Sequence, residues 1–264
     1  MSTTVAELVA YLDASVPFAW ASEWDRVGLL AGDPAATVGS VLVAVDPTRA
    51  GLERAREMGA TVLLTHHPAF LEPLEAVTAA EGAAGIVFDA ARHGVALVNC
   101  HTNMDRAPSG ADALPVLLGL TMTSALEPEG DDPARPRAGR ICSPGRGSAT
   151  LGGLAALVGE RLAVRPRVWG VAETAVKRIA IAPGSGRSFL TAAFAAGCDT
   201  IVTGELRYHE AREALESGLR VIEAGHDATE WPLTRALAAI AAAAPGLDTA
   251  SVVLDEAAYP WWIA

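Results

Sequence analysis

An uninterrupted apolar run, "SVLVAV" (residues 40–45), leads through a helix-length segment into a second such run, "TVLLT" (61–65). Strands without polar alternation are buried on both faces, and a helical crossover between two of them makes them parallel. The crossover has its own punctuation. Asp46 is a candidate N-cap, Pro47 suits the first helical position, and Gly59 closes "PTRAGLERAREMG". The rhythm continues with a helix around 79–93, ended by Gly94, and the strand "VALVNC" (95–100). Ahead of it, Thr4 and Glu7 form a capping box for an amphipathic helix to about Ala14.

A second block repeats the alternation. A helix is expected at 149–162, strands near 166–171 and 177–182, and a helix near 188–196. Strand "DTIVT" (199–203), a helix at 208–217, strand "RVIEA" (220–224), a helix from about 228 and strand "SVVLD" (251–255) complete it. The class is α/β with mainly parallel sheets. Between the blocks, Pro, Gly and charge dominate, so residues 1–126 read as a first half, 127–148 as a linker or loop, and 149–264 as a second half. The aromatic tail "YPWWIA" is expected to pack on its own domain or to serve an oligomer contact.

The formal net charge is −11, and an acidic surface repels phosphate backbones, so no nucleic-acid partner is expected. The N-terminus lacks a basic leader, no apolar run is long enough for a bilayer, and Pro245 stops the Ala-rich stretch before it. Three scattered cysteines give neither a disulfide framework nor a cysteine zinc knuckle. A soluble cytoplasmic protein with no membrane partner is the expectation.

Polar clusters follow the strands. "HH" (66–67), "HTNMD" (101–105), "TGELRYH" (203–209) and "GHDATE" (225–230) each come where a strand stops. Ligands of parallel α/β sheets collect beyond the carboxyl ends of strands, so these clusters could gather on one edge. His66, His67, Asp105, His226 and Glu230 offer three nitrogens and two carboxylates, a mixture suited to zinc, manganese, iron or nickel rather than magnesium or calcium. Neighbouring residues on an extended strand point to opposite sides, so His66 and His67 would serve two different ions, and a carboxylate such as Glu230 could bridge them. Pro232 is expected in the first turn of its helix, which would place Glu230 in that turn and His226 on the incoming loop.

Each residue also has an ordinary structural role open to it. Asp105 could cap a helix, Glu230 could be a solvated first-turn acid, and His93 beside Gly94 complements a helix C-terminus. "PGSGRS" (183–188) reads either as a phosphate-binding turn or as a flexible turn with Ser188 as N-cap. No P-loop and no GxSxG elbow are present, and Cys100 beside His101 is not a dyad by adjacency alone.

The motifs "WDRVGLLAG", "LLTHHP", "NCHTNMDRAPSGAD", "IAIAPGSGRSFLTAAFAAGCDTIVTGELRYHEA" and "VIEAGHDATE" together resemble the Nif-three-like dinuclear-metal family, whose members are commonly labelled GTP cyclohydrolase 1 type 2 homologues. The resemblance runs in order over nearly the whole chain. It implies two α/β domains with a metal site at their interface, and two divalent ions per chain. His67 and Asp105 would hold one ion, His66 and His226 the other, with Glu230 bridging. It also implies a toroidal homohexamer, here in the compact form without a central insert.

Two functions fit that resemblance. One is a metal-dependent hydrolase acting on a small molecule, a nucleotide or phosphoester, with His209, His101 or Glu205 shuttling protons. The other is a non-catalytic metal-binding, regulatory or scaffold protein with the same ligands. An α/β protein with purely structural histidines is a third reading, disfavoured by so many ligand-type residues after strand ends.

Overall fold

The computed structural model describes residues 3–128, 132 and 134–256; the tail at 259–264 lies outside the described residues. The capping box forms as expected. Glu7 N donates to Thr4 Oγ1 at 3.2 Å, Thr4 N donates to the Glu7 carboxylate at 2.8 Å, and α1 (Val5–Ser15) follows. Its Val5, Leu8 and Leu12, spaced three and four apart, form the buried stripe.

Two compact units divide the chain. The first takes residues up to Met104 and resumes at Thr234; the second runs from Asp105 to Leu233. In the first, β1 (Gly28–Ala31), β2 (Val41–Ala44), α2 (Arg49–Glu57), β3 (Val62–Thr65), α3 (Ala83–His93) and β4 (Ala96–Asn99) give the expected alternation. The sheet order is β1-β4-β3-β2 with a C-terminal strand beside β2. β2, β3 and β4 are parallel and buried along their whole length, as unbroken apolar runs require. Leu42, Leu63 and Leu97 pack against Leu52 and Ala55 of α2 and Val87 and Ala90 of α3.

Asp46 does not cap α2. Thr48 does, its hydroxyl accepting from Gly51 N at 2.9 Å. Asp46 turns instead toward the end of β3.

Past the short helices α4 (Thr102–Arg106), α5 (Pro108–Ala111) and α6 (Ala113–Leu117), the second unit holds β5 (Thr121–Ala125), β6 (Arg140–Ser143), α7 (Leu151–Leu162), β7 (Arg167–Trp169) and β8 (Ile179–Ser185). It continues with α8 (Leu190–Ala195), β9 (Thr200–Glu205), α9 (Tyr208–Glu216), β10 (Arg220–Glu223) and α10, which spans His226–Ala242. Its order is β5-β6-β8-β9-β10-β7, with β8, β9 and β10 parallel and the flanking pairs antiparallel. Side chains of the three parallel strands alternate by period two. Ile179, Ile181, Val202 and Ile222 face Leu151, Leu154 and Val158 of α7; Ala180, Ala182, Ile201 and Val221 pack with Ala193, Ala211 and Ala214. Truncating Leu154, which is fully buried, to Ala would cost about 2–5 kcal/mol.

Three expectations change. The segment 127–148 is not only loop, because β6 lies within it and buries Ile141 and Cys142. The last strand, β11 (Val252–Leu254), pairs in parallel with β2 and so belongs to the first sheet. Helix α10 begins at His226, so Pro232 lies inside the helix rather than in its first turn. Among the described residues, no helix is long and apolar enough to cross a membrane.

Candidate metal centre

Parallel register builds the first group. Ala44, Thr65 and Asn99 are aligned across β2, β3 and β4. The residues that follow, namely Asp46, His66 with His67, and His101, therefore leave the sheet side by side at its carboxyl edge. Hydrogen bonds donated by His66 N to Ala44 O (3.1 Å) and by His67 N to Val45 O (2.8 Å) carry the ladder past the strand. Ring centroids are 5.0 Å apart for His66 and His67, 5.2 Å for His66 and His101, and 5.5 Å for His67 and His101. One nitrogen of each lies within 4.8 Å of the others. His66 is fully buried; the other two are partly exposed.

Every ring in this group is oriented through Nδ1. His66 Nδ1 lies 3.0 Å from Cys100 O, His67 Nδ1 2.7 Å from Asp46 Oδ1, and His101 Nδ1 2.9 Å from Asp25 Oδ1. Carbonyl and carboxylate oxygens only accept, so each Nδ1 donates and the lone pair of the neutral ring sits on Nε2. Metal-ligating histidines are oriented in the same way by an acceptor on the second nitrogen.

Asp25 is held tightly. Burial alone would raise its carboxyl pKa, but hydrogen bonds from His101 and from the Thr102 hydroxyl (2.5 Å) and amide (3.0 Å) hold it at about 2. The neighbouring Cys100 is not a nucleophile, because burial pushes its thiol up to about 12.

The second group follows the parallel strands of the other sheet. Ala182, Thr203 and Glu223 are in register, and Gly184, Glu205 and His226 lie beyond them. Glu223, buried, anchors this end by accepting from Arg167, Trp169 Nε1 (2.6 Å) and Leu206 N (2.9 Å). Because α10 begins at His226, Glu230 lies one turn on and shares its face. His226 Nε2 is 3.1 Å from Glu230 Oε1, and its Nδ1 is 3.1 Å from Glu205 Oε1. A neutral imidazole carries one hydrogen, so one of these contacts sets a lone pair against a lone pair. Added positive charge, from a second proton or a bound cation, removes that repulsion.

Gly184 completes the cradle. It has φ +64°, and a Cβ there would stand 2.1 Å from Glu230 Oε1 and 3.1 Å from His226 Nε2. Its amide donates to Thr229 Oγ1 at 3.0 Å. "PGSGRS" is thus a wall against the histidine and carboxylate. Ser188 caps nothing; it lies in the 3-10 turn Arg187–Phe189 ahead of α8.

The expected residues follow the carboxyl ends of the parallel strands of both sheets. His66, His67 and His101 come together in one group, and His226, Glu230 and Glu205 in another. Asp105 lies on α4, partly buried, and is not part of the three-histidine group. His209 is exposed, its ring edge-on to Tyr208 with centroids 5.2 Å apart. Asp46, Asp25 and Gly184 were not expected at the site. Asp25 lies within the "WDRVGLLAG" motif, the only sequence signal that pointed toward it.

Imidazole nitrogens oriented through carboxylates, at the carboxyl ends of parallel strands, define an α/β protein with a donor set of metal-binding type. The chain belongs to the Duf34/NIF3 (NGG1p interacting factor 3) family, whose model matches residues 3–258. A Streptomyces coelicolor relative named GTP cyclohydrolase 1 type 2 homolog is 37% identical over 234 residues, covering 86% of this chain and 82% of its own. A Staphylococcus aureus hypothetical protein superposes with a TM-score of 0.88 at 25% identity, over 100% of both chains. A Bacillus cereus protein related to NIF3 has a TM-score of 0.85 at 20% identity, covering 100% of this chain and 99% of its own, a likeness of fold alone.

Proposed function

We propose that the chain binds two divalent metal ions and acts as a metal-dependent hydrolase on a nucleotide or other phosphoester. The observation that carries this reading is the common orientation of the histidines: His66, His67 and His101 each place Nδ1 on an oxygen acceptor and so direct the lone pair to Nε2, while His226 stands between two carboxylates. The proposed ligands are His66, His67, Asp105, His226 and Glu230. Such a set of imidazoles and carboxylates suits zinc, manganese, iron or nickel. Ions bound there supply Lewis acidity for hydrolysis at neutral pH.

The remaining roles belong to the protein. Asp46 and Asp25 fix His67 and His101, and Glu205 steadies the His226 ring. His209, exposed at the start of α9, and His101 are the proposed proton carriers; Glu205 is the third acid–base group at hand. The names of the relatives point to a guanine nucleotide, which is the first substrate class to screen. The protein is proposed to be cytoplasmic and a homohexamer, to be checked by light scattering.

Elemental analysis of the wild type and Glu230→Ala tests the reading. Nearly two equivalents of metal per chain, falling sharply in the variant, is the expected result. Little metal in either after reconstitution refutes it. His209→Ala should abolish turnover and spare the metal. Full metal content with no hydrolysis of any nucleotide or phosphoester would select the non-catalytic alternative.

A further inference from the structure

Trp24 is 61% exposed, leaving a large aromatic ring mostly open to solvent. It is nevertheless held firmly. Asp25 N donates to Ser22 O at 2.9 Å, closing a β-turn with Glu23 and Trp24 at its corners. Both ends of that turn are tied to the strand end that carries His101. Ser22 N donates to Thr102 Oγ1 at 2.8 Å, Asp25 accepts from His101 and Thr102, and Asn99 Nδ2 donates to Arg26 O at 2.9 Å. On the far side, Arg26 Nε donates to Leu71 O at 2.6 Å. The indole meets the His101 ring edge-on, with centroids 5.9 Å apart at 77°. His101 in turn lies against His66 and His67.

A rigid turn that presents an aromatic face to solvent beside a catalytic-type histidine is costly for folding and useful for binding. The ordering entropy is already spent, and among the described residues most of the ring stays open to solvent. We infer that Trp24 is a stacking platform that seats a planar aromatic ring, of the nucleobase class, against the histidine group. The inference rests on the proposed hydrolase reading and narrows its substrate to molecules with such a ring. Sugar phosphates and simple phosphoesters would lack the contact. Stacking of one base on one aromatic side chain corresponds to about 5- to 150-fold in affinity.

The test is calorimetric titration of the metal-loaded full chain with a purine mononucleotide and, separately, ribose 5-phosphate. Wild type should bind the nucleotide more tightly. Trp24→Ala should weaken the nucleotide by about 5- to 150-fold and leave ribose 5-phosphate unchanged, while Trp24→Phe retains most of the affinity. Nucleotide should also quench tryptophan emission in wild type, and Trp24→Phe should abolish the quench. Nucleotide affinity unchanged in Trp24→Ala overturns the inference, as does a quench that survives in Trp24→Phe or a wild type that binds neither probe. A variant that changes oligomeric state but not affinity would assign the ring to a subunit contact, also overturning it. Failure of the hydrolase reading is distinct, since it shows as absent metal in the wild type.

Discussion

Replacing Asp25 with Asn removes one buried negative charge and little volume, so its effect can be worked out from the site. The Asp25 side chain has no exposed surface. Its carboxyl titrates at about 2 in the fold against an ordinary value of 3.8. A depressed carboxyl stabilises the folded state fully above its unfolded pKa, and the contribution is lost as pH falls through the folded one. Linkage makes it about 2.4 kcal/mol at neutral pH and about 1.3 kcal/mol at pH 3. For a chain of this size each kcal/mol is about 2–4 °C in Tm, so Asp25→Asn should lower the transition of its unit by about 5–10 °C at pH 7. The assay is thermal unfolding of both proteins from pH 7 to pH 3. The difference should be flat down to about pH 5 and should roughly halve by pH 3. A difference that is absent, or that does not shrink with acid, would refute the assignment of Asp25 as the ionised anchor of His101 and Thr102.

Asp46→Ala, which strips the acceptor from His67 Nδ1, should weaken metal binding by about 10- to 100-fold with secondary structure unchanged, as read by chelator competition and circular dichroism. Gly184→Ala should lose metal from the His226 and Glu230 group and cost about 1–3 kcal/mol, because the new methyl meets Glu230 Oε1 in a left-handed backbone; elemental analysis and a melt would show both. Ala163 has φ 56° at the C-cap of α7. Ala163→Gly should therefore stabilise the protein by about 1 kcal/mol, strain relief of about 1–2 exceeding the entropy cost of Gly, and raise Tm by a few degrees.

Much of the fold was legible because buried strands and capped helices leave local marks. The runs at 40–45, 61–65 and 95–100 could only be buried, and Thr4 with Glu7 could only start a helix. The donor residues were legible for a related reason: they follow strands, and parallel register turns sequence order into spatial neighbourhood. What was missed depends on pairing across distance. Asp46 before Pro47 looks like a cap, and only the alignment of β2 with β3 gives it to His67. Asp25 reaches His101 across 76 residues. β5 is exposed along its length, so it carries no apolar run, and β6 is embedded in Pro, Gly and charge. The start of α10 was misread because Pro232 was assumed to need a first turn, which displaced His226 from the face it shares with Glu230.

The return of β11 to the first sheet also bears on how the protein is made. Among the described residues the second unit is one unbroken stretch of chain, complete once Leu233 has emerged from the ribosome. The first unit begins earlier and finishes later, because β2, buried throughout, stays an open edge until Val252–Leu254 arrives to cover it. During synthesis the order of completion is therefore inverted. The segment begun first waits on the last strand, while the stretch translated between its two parts is already whole.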